Sequence, residues 1–196
     1  RFRGLVSALS ARRNKARRDA VTEAPSRAGH LALADNARWC HLMERPQRRA
    51  AVALGSNLGS RASHLAFGVE RLRQVLSEVV VSRFVETPPE HAADEPLFLN
   101  GAVVGVTCGT PEGLLEALLA IESERGRVRS YPGAPRTLDL DLVLLGDLIV
   151  ESPALRLPHP RFRSRAFVLG PLAEIAPSLM DPVTGKTVAQ LNDQLR

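Results

Sequence analysis

Aromatic side chains are scarce: one Trp, one Tyr and six Phe, 4% of 196 residues. Proteins that read single-stranded nucleic acid stack bases on exposed aromatics, so this scarcity weighs against that class. Cysteine is sparser still. Cys40 and Cys108 stand far apart with no metal-ligand spacing, which supports neither a disulfide framework nor a zinc site and fits a reducing cytosol. No apolar run approaches the roughly 20 residues that span a bilayer, and the N-terminal stretch has no secretory apolar core. A soluble, cytoplasmic protein without a membrane partner is expected.

Acidic residues are few at one end only. Residues 1–49 hold 12 Lys/Arg against 4 Asp/Glu, whereas the remaining 147 hold 14 against 17. The high pI therefore belongs to the N-terminal arm, and the rest of the chain lacks the basic footprint of a nucleic-acid binder. Residues 1–48 show no sustained period and carry the cluster Arg12-Arg13-Asn14-Lys15-Ala16-Arg17-Arg18. They read as a weakly ordered extension: a solvated tail, an organelle-targeting segment, or sequence ahead of the true start. Residues 49–196 read as one domain.

From residue 50 the pattern is regular. Ala50–Leu54 is a short apolar strand closed by the turn Gly55-Ser56-Asn57-Leu58-Gly59, and Leu65, Val69, Leu72 and Leu76 follow at helical spacing. A strand is expected at 79–85, then a Pro-rich connection, then a strand at about 98–106. The second helix is well punctuated, with Thr110 as N-cap, Pro111 in the first turn and Gly126 past its end. A last strand completes the order βαββαβ, that of an α+β ferredoxin-like sandwich, one antiparallel sheet with two helices on one face.

That last strand carries the strongest chemical signal. Within Arg136-Thr137-Leu138-Asp139-Leu140-Asp141-Leu142, alternation puts Asp139 and Asp141 on one face, about 6.6 Å apart along the strand, and the leucines on the other. Two like charges side by side in a strand call for a cation between them. With Arg136 adjacent, the pair suits Mg²⁺ bound jointly with nucleotide phosphates. If the helices cover the leucine face, the segment 157–176 is the natural C-terminal extension over the sheet's other face, and it brings His159, Arg161, Arg163, Arg165 and Phe167. Arg127, Arg129 and Arg136 bracket a Gly/Pro loop; alone they would read as a solvated helix end complementing its dipole. Phe98 and Phe167 suit stacking on a flat ring, and Asn100 offers both a donor and an acceptor.

Seven pieces in order, Ala53-Leu-Gly-Ser-Asn-Leu-Gly59, Glu86-Thr-Pro-Pro89, Phe98-Leu-Asn100, Ile121-Glu122 with Gly126-Arg-Val-Arg129, Pro135-Arg-Thr-Leu-Asp-Leu-Asp141, Pro158-His159 and Arg165-Ala-Phe-Val-Leu169 with Pro171-Leu-Ala-Glu-Ile-Ala-Pro177, make residues 50–196 resemble the 6-hydroxymethyl-7,8-dihydropterin pyrophosphokinases of folate biosynthesis. The resemblance implies transfer of pyrophosphate from ATP to the pterin hydroxymethyl group with release of AMP, by a monomer using two Mg²⁺ ions. It implies that Asp139 and Asp141 bind metal and that Arg127 and Arg136 stabilise the transferring group. Glu122, Arg129, His159 and Arg165 correspond to ATP contacts, and Thr87, Pro88, Phe98, Asn100 and Phe167 to the pterin pocket. No general base stands out. Departures from the family pattern include Gly133-Ala134-Pro135-Arg136 where an aromatic lid is usual, with Tyr131 as a substitute, Pro160 after the His, and Val85 before the Thr-Pro-Pro run. An RNA-binding sandwich and a domain that has kept the fold without activity are the competing readings.

Overall fold

The structure, a computed structural model, describes residues 46–89, 96–127 and 134–196. Arg129 and Tyr131, to which the sequence assigned an ATP contact and a lid, lie outside the described residues. The apolar stretch after Arg49 forms β1 (Arg48–Ser56), which is followed by α1 (Arg61–Val75), β2 (Ser77–Val81), β3 (Val85–Thr87) and β4 (Phe98–Thr107). α2 (Pro111–Glu124) then leads to β5 (Asp139–Leu145). The Thr110 hydroxyl accepts from the Gly113 N–H, satisfying one orphan donor of the first turn, a cap worth about 1 kcal/mol. Gly126 takes a positive φ of 74° just past the helix, where a side chain would be strained.

The strands make one antiparallel sheet in the order β2-β4-β1-β5, with β3 also paired to β4. The expected strand at 79–85 is therefore two shorter strands on one partner, divided at Ser82–Phe84. The Ser82 hydroxyl takes over part of the ladder there, accepting from the Ala102 N–H at 2.9 Å.

Two apolar layers flank the sheet. Val52, Leu54, Val103, Leu138, Leu140 and Leu142 pack with α1 and α2, through Leu65, Val69, Leu72, Leu114, Leu118 and Ile121. On the other face Ala51, Ala53, Ala102, Val104 and Val143 meet the C-terminal segment. That segment runs through a short hairpin, β6 (Val150–Glu151) and β7 (Arg156–Leu157), a 3-10 turn (Phe162–Ser164), α3 (Ala166–Ile175) and α4 (Val188–Asp193). Phe162, Val168, Leu169 and Leu172 are its buried contribution.

Strict alternation along β5 fails once. Val52 pairs with Leu142 but Ala51 with Leu144, so an extra residue bulges the strand and turns both Val143 and Leu144 to the C-terminal layer. The C-terminal layer covers that end of the strand and leaves the Asp139 end partly open. Cys108, just past β4, is disulfide-bonded. The sequence reading, which supported no disulfide framework, is corrected at that residue. Among the described residues no helix is long and apolar enough to cross a membrane.

Candidate functional site

Register across the sheet builds the site. Gly55 of β1 pairs with Asp139 on one side and Asn100 on the other, and Val85 of β3 continues that row beyond Asn100. Directly paired residues project to the same face, so Asp139, Gly55 and Asn100 share the face away from α1 and α2. The next row holds Asp141, Ala53 and Ala102. Gly55 thus puts no side chain between Asp139 and Asn100, whereas Ala53 and Ala102 of the next row are covered by the C-terminal layer. A Cβ on Gly55 would stand 3.0 Å from Asn100 Oδ1 and 3.8 Å from both Asp139 Cβ and Phe98 Cδ1, so any larger residue would fill the floor.

The rim on one side is amphipathic. Asn100 Nδ2 donates to Thr87 Oγ1 at 2.8 Å, which fixes the amide and leaves Oδ1 directed over Gly55 as an acceptor. Phe98, paired with Thr87 and half-buried, lies under the Arg136 guanidinium at 5.3 Å. Pro88 follows β3 and is exposed. This brings four of the five expected pterin residues to one edge; the fifth, Phe167, stacks under Arg165 at 5.4 Å on the C-terminal layer.

Cations surround the carboxylates. Arg127 Nη1 lies 2.5 Å from Asp139 Oδ1 and also pairs with Glu122, while Arg136 Nε is 3.3 Å from Asp139 Oδ2. Glu122 is buried at 2% exposure and also accepts from the Leu140 N–H at 2.8 Å. It therefore ties the end of α2 to β5 and aims Arg127 at Asp139. Arg165 Nη1 stands 3.8 Å from Asp141 Oδ2. Burial, then the Asp139 charge, pushes the Asp141 carboxyl up from its ordinary value despite His159, Arg165 and Arg127 pulling it down. Burial likewise lowers His159, against the opposing pull of Asp141. His159 Nδ1 accepts from the Arg161 N–H at 3.2 Å, which assigns the ring proton of the neutral form to Nε2.

Two residues that the sequence placed only in motifs acquire a role here. Gly55 is the floor. Asn57, 2% exposed, clasps the backbone of Arg136: its N–H donates to the Arg136 carbonyl at 3.2 Å and its Oδ1 accepts from the Arg136 N–H at 2.8 Å. The Gly-Ser-Asn turn was the available signal, but its partner is 79 residues away.

The family profile described as 7,8-dihydro-6-hydroxymethylpterin-pyrophosphokinase matches residues 51–177. A Methylorubrum extorquens protein named 2-amino-4-hydroxy-6-hydroxymethyldihydropteridine pyrophosphokinase is 45% identical over 144 residues, 72% of this chain and 90% of the relative. A Pseudomonas aeruginosa protein of the same name is 42% identical over 137 residues, 69% of this chain and 85% of its own. Among solved structures, Plasmodium falciparum HPPK-DHPS with pteroate aligns with a TM-score of 0.60 at 15% identity, over 76% of this chain and 42% of that one, a likeness of fold. Bacterial relatives matched over most of their length and a profile spanning well over half of this sequence agree, and the chain belongs to the 7,8-dihydro-6-hydroxymethylpterin-pyrophosphokinase family.

Proposed function

We propose that this protein transfers the pyrophosphoryl group of ATP to the hydroxymethyl oxygen of 6-hydroxymethyl-7,8-dihydropterin, releasing AMP, as a step of folate biosynthesis. The observation that carries the reading is the single sheet face on which Asp139 and Asp141 stand across Gly55 from Asn100, with Thr87 and Phe98 beside it. We read the fold as a ferredoxin-like sandwich, supported by the strand order and by two helices packed on one face.

The residues present fit Mg²⁺. Two hard carboxylates share a face, and burial, then the Asp139 charge, raises Asp141 from its ordinary value, a penalty that a bound cation would relieve. Among the described residues no group of three or more His, Cys, Asp and Glu gathers as a closed metal cage would need. A two-carboxylate site suits an ion that takes its other ligands from water and substrate phosphates. Asp139 and Asp141 would hold two such ions, which when bound neutralise phosphate charge and align the displacement.

The chain's own residues do the rest. Asn100 and Thr87 orient the pterin by its polar edge while Phe98 and Phe167 offer ring faces. The hydroxymethyl oxygen attacks the β-phosphorus, and the bond from that phosphorus to the α,β-bridging oxygen breaks, leaving AMP. Arg127 and Arg136, already beside Asp139, stabilise the charge that develops on the transferring group. His159, through Nε2–H, and Arg165 bind the nucleotide phosphates, with Arg129 as a further contact. Glu122 serves them by fixing Arg127. No protein base is assigned to the hydroxyl proton, because phosphoryl transfer rests mainly on positioning and charge neutralisation.

The test is a direct assay of the purified chain with ATP, Mg²⁺ and the pterin. AMP should form in step with pterin diphosphate, and chelation with EDTA should stop it reversibly. Absence of AMP with every component present would overturn the proposal, and persistence of turnover in EDTA would overturn its metal half.

A further inference from the structure

His159, Arg161 and Arg165 come from a segment with almost no regular structure. It holds one 3-10 turn, Phe162–Ser164, too short to be stable by itself. Two side chains anchor that turn. Phe162 is fully buried in the C-terminal apolar layer. Arg163 lies across the Phe162 ring at 4.9 Å and forks onto Asp181, Nε to Oδ2 at 2.7 Å and Nη2 to Oδ1 at 2.8 Å.

Asp181 is the centre of a second, self-contained turn. Its N–H donates to the Lys186 carbonyl and its own carbonyl accepts from the Gly185 N–H, both at 2.9 Å, while Met180 pairs with Thr187. The carboxylate is completely buried and also accepts from Thr184 Oγ1 at 2.6 Å and the Val183 N–H at 3.2 Å. Burial alone would raise this carboxyl; the bonds from Arg163, Thr184 and Val183 more than offset it and hold it below its ordinary value. The Asp181 turn is therefore bonded on several sides besides Arg163, whereas the 3-10 turn has, besides Arg163, the buried Phe162 ring and short-range bonds among its own neighbours, such as the Ser164 N–H and Oγ to the Arg161 carbonyl.

We propose that the Arg163–Asp181 pair positions the nucleotide half of the site: the forked bond fixes the 3-10 turn, and with it the direction from which Arg165 and His159 face Asp141. This rests on the reading of Arg165 and His159 as phosphate contacts. The link is short in sequence. The Arg165 N–H donates to the Phe162 carbonyl at 3.2 Å, the Arg165 carbonyl accepts from Val168 and Leu169 at the start of α3, and the Phe162 N–H donates to the His159 carbonyl at 3.2 Å. Rotating the turn redirects Arg165 and strains the bond to His159, whose own N–H is held by the Val143 carbonyl at 2.9 Å. The family match ends at residue 177, so nothing in it assigns Asp181 a part.

The experiment measures steady-state kinetics and Tm for Arg163→Gln, Arg163→Lys, Thr184→Val and Arg165→Ala. Arg163→Gln should raise KM for ATP about tenfold and leave KM for the pterin within about twofold, since misplacing a binding group is felt only by the substrate it holds. Arg163→Lys, which keeps one bond of the fork, should fall between, and it carries the test if Arg163→Gln does not fold. Thr184→Val removes a different partner of Asp181 without touching the 3-10 turn, and should lower Tm with KM for ATP unchanged. Equal kinetic effects of Arg163→Gln and Thr184→Val, or a lowered Tm with both KM values intact in the Arg163 variants, would overturn the proposal as a purely structural role. Unchanged KM for ATP in Arg165→Ala would instead bring down the phosphate-contact reading itself, and the positioning role with it.

Discussion

Asp141 and Asp181 show how environment divides two chemically identical side chains. Asp141 is raised from its ordinary value of 3.8, first by burial and then by Asp139. The folded chain then binds that proton more tightly than the unfolded chain, so the group is least costly in acid and lowers stability as pH rises. Asp141→Asn is expected to raise Tm at pH 7, with the gain gone by about pH 3, where the carboxyl is protonated in both states. The same variant should lose turnover by about a hundredfold or more, because it removes a proposed metal ligand. Thermal scans across pH beside the AMP assay check both; a variant that lost stability and activity together would mark Asp141 as structural. Asp181 runs the other way. Lowered by its partners despite burial, it stabilises the fold above its ordinary value of 3.8 and loses that contribution as pH falls through the folded value. Asp181→Asn should therefore flatten the acid limb of the stability profile, read as Tm between about pH 2 and 5.

Elements meet the site at two seams. At the seam between α2 and β5, Glu122 holds the Leu140 N–H and Arg127 in a nearly dry environment, with side-chain exposures of 3% for Glu122 and 10% for Arg127. Breaking such a pair by removing one partner leaves an uncompensated charge, and Glu122→Ala is expected to cost about 3 kcal/mol in urea unfolding. At the seam of β1 with β4 and β5, Gly55→Val should raise KM for the pterin about tenfold or more by filling the floor, with KM for ATP little changed. Competition kinetics with each substrate separate the two effects. The same seams show what was legible. The period of β5, the cap at Thr110 and the break at Gly126 rest on local preferences and were readable from neighbours in sequence. The bulge at Val143 and the division of the second strand at Ser82 were not, because both answer to pairing partners on β1 and β4. Asn57 was visible only as a turn residue, since its clasp on Arg136 bridges two loops.

At the scale of the molecule, the sheet sorts its functions by face. One face is sealed by α1 and α2, and the other is sealed at the Val143 end by the C-terminal layer and left partly open at the Asp139 end. Asp139, Asn100, Thr87 and Phe98 meet on that open end. A chain starting at residue 46, just ahead of β1, is expected to keep kcat within about twofold, since the site groups are held by contacts within the later residues. A loss of turnover with the fold intact by circular dichroism would assign the arm a part in the reaction.

By itself the sequence determined the chemistry on offer: two carboxylates of one parity in a leucine strand, arginines beside a Gly/Pro loop, and a punctuated second helix, all set by steric and hydrogen-bonding preferences within a few residues. Tertiary structure alone decided that Gly55 is a floor, that Glu122 turns inward to hold Arg127, and that Arg163 is tied to Asp181 while Arg165 is left to face Asp141. Those outcomes depend on register and on partners tens of residues apart, and no local preference of a side chain encodes which distant group will desolvate it.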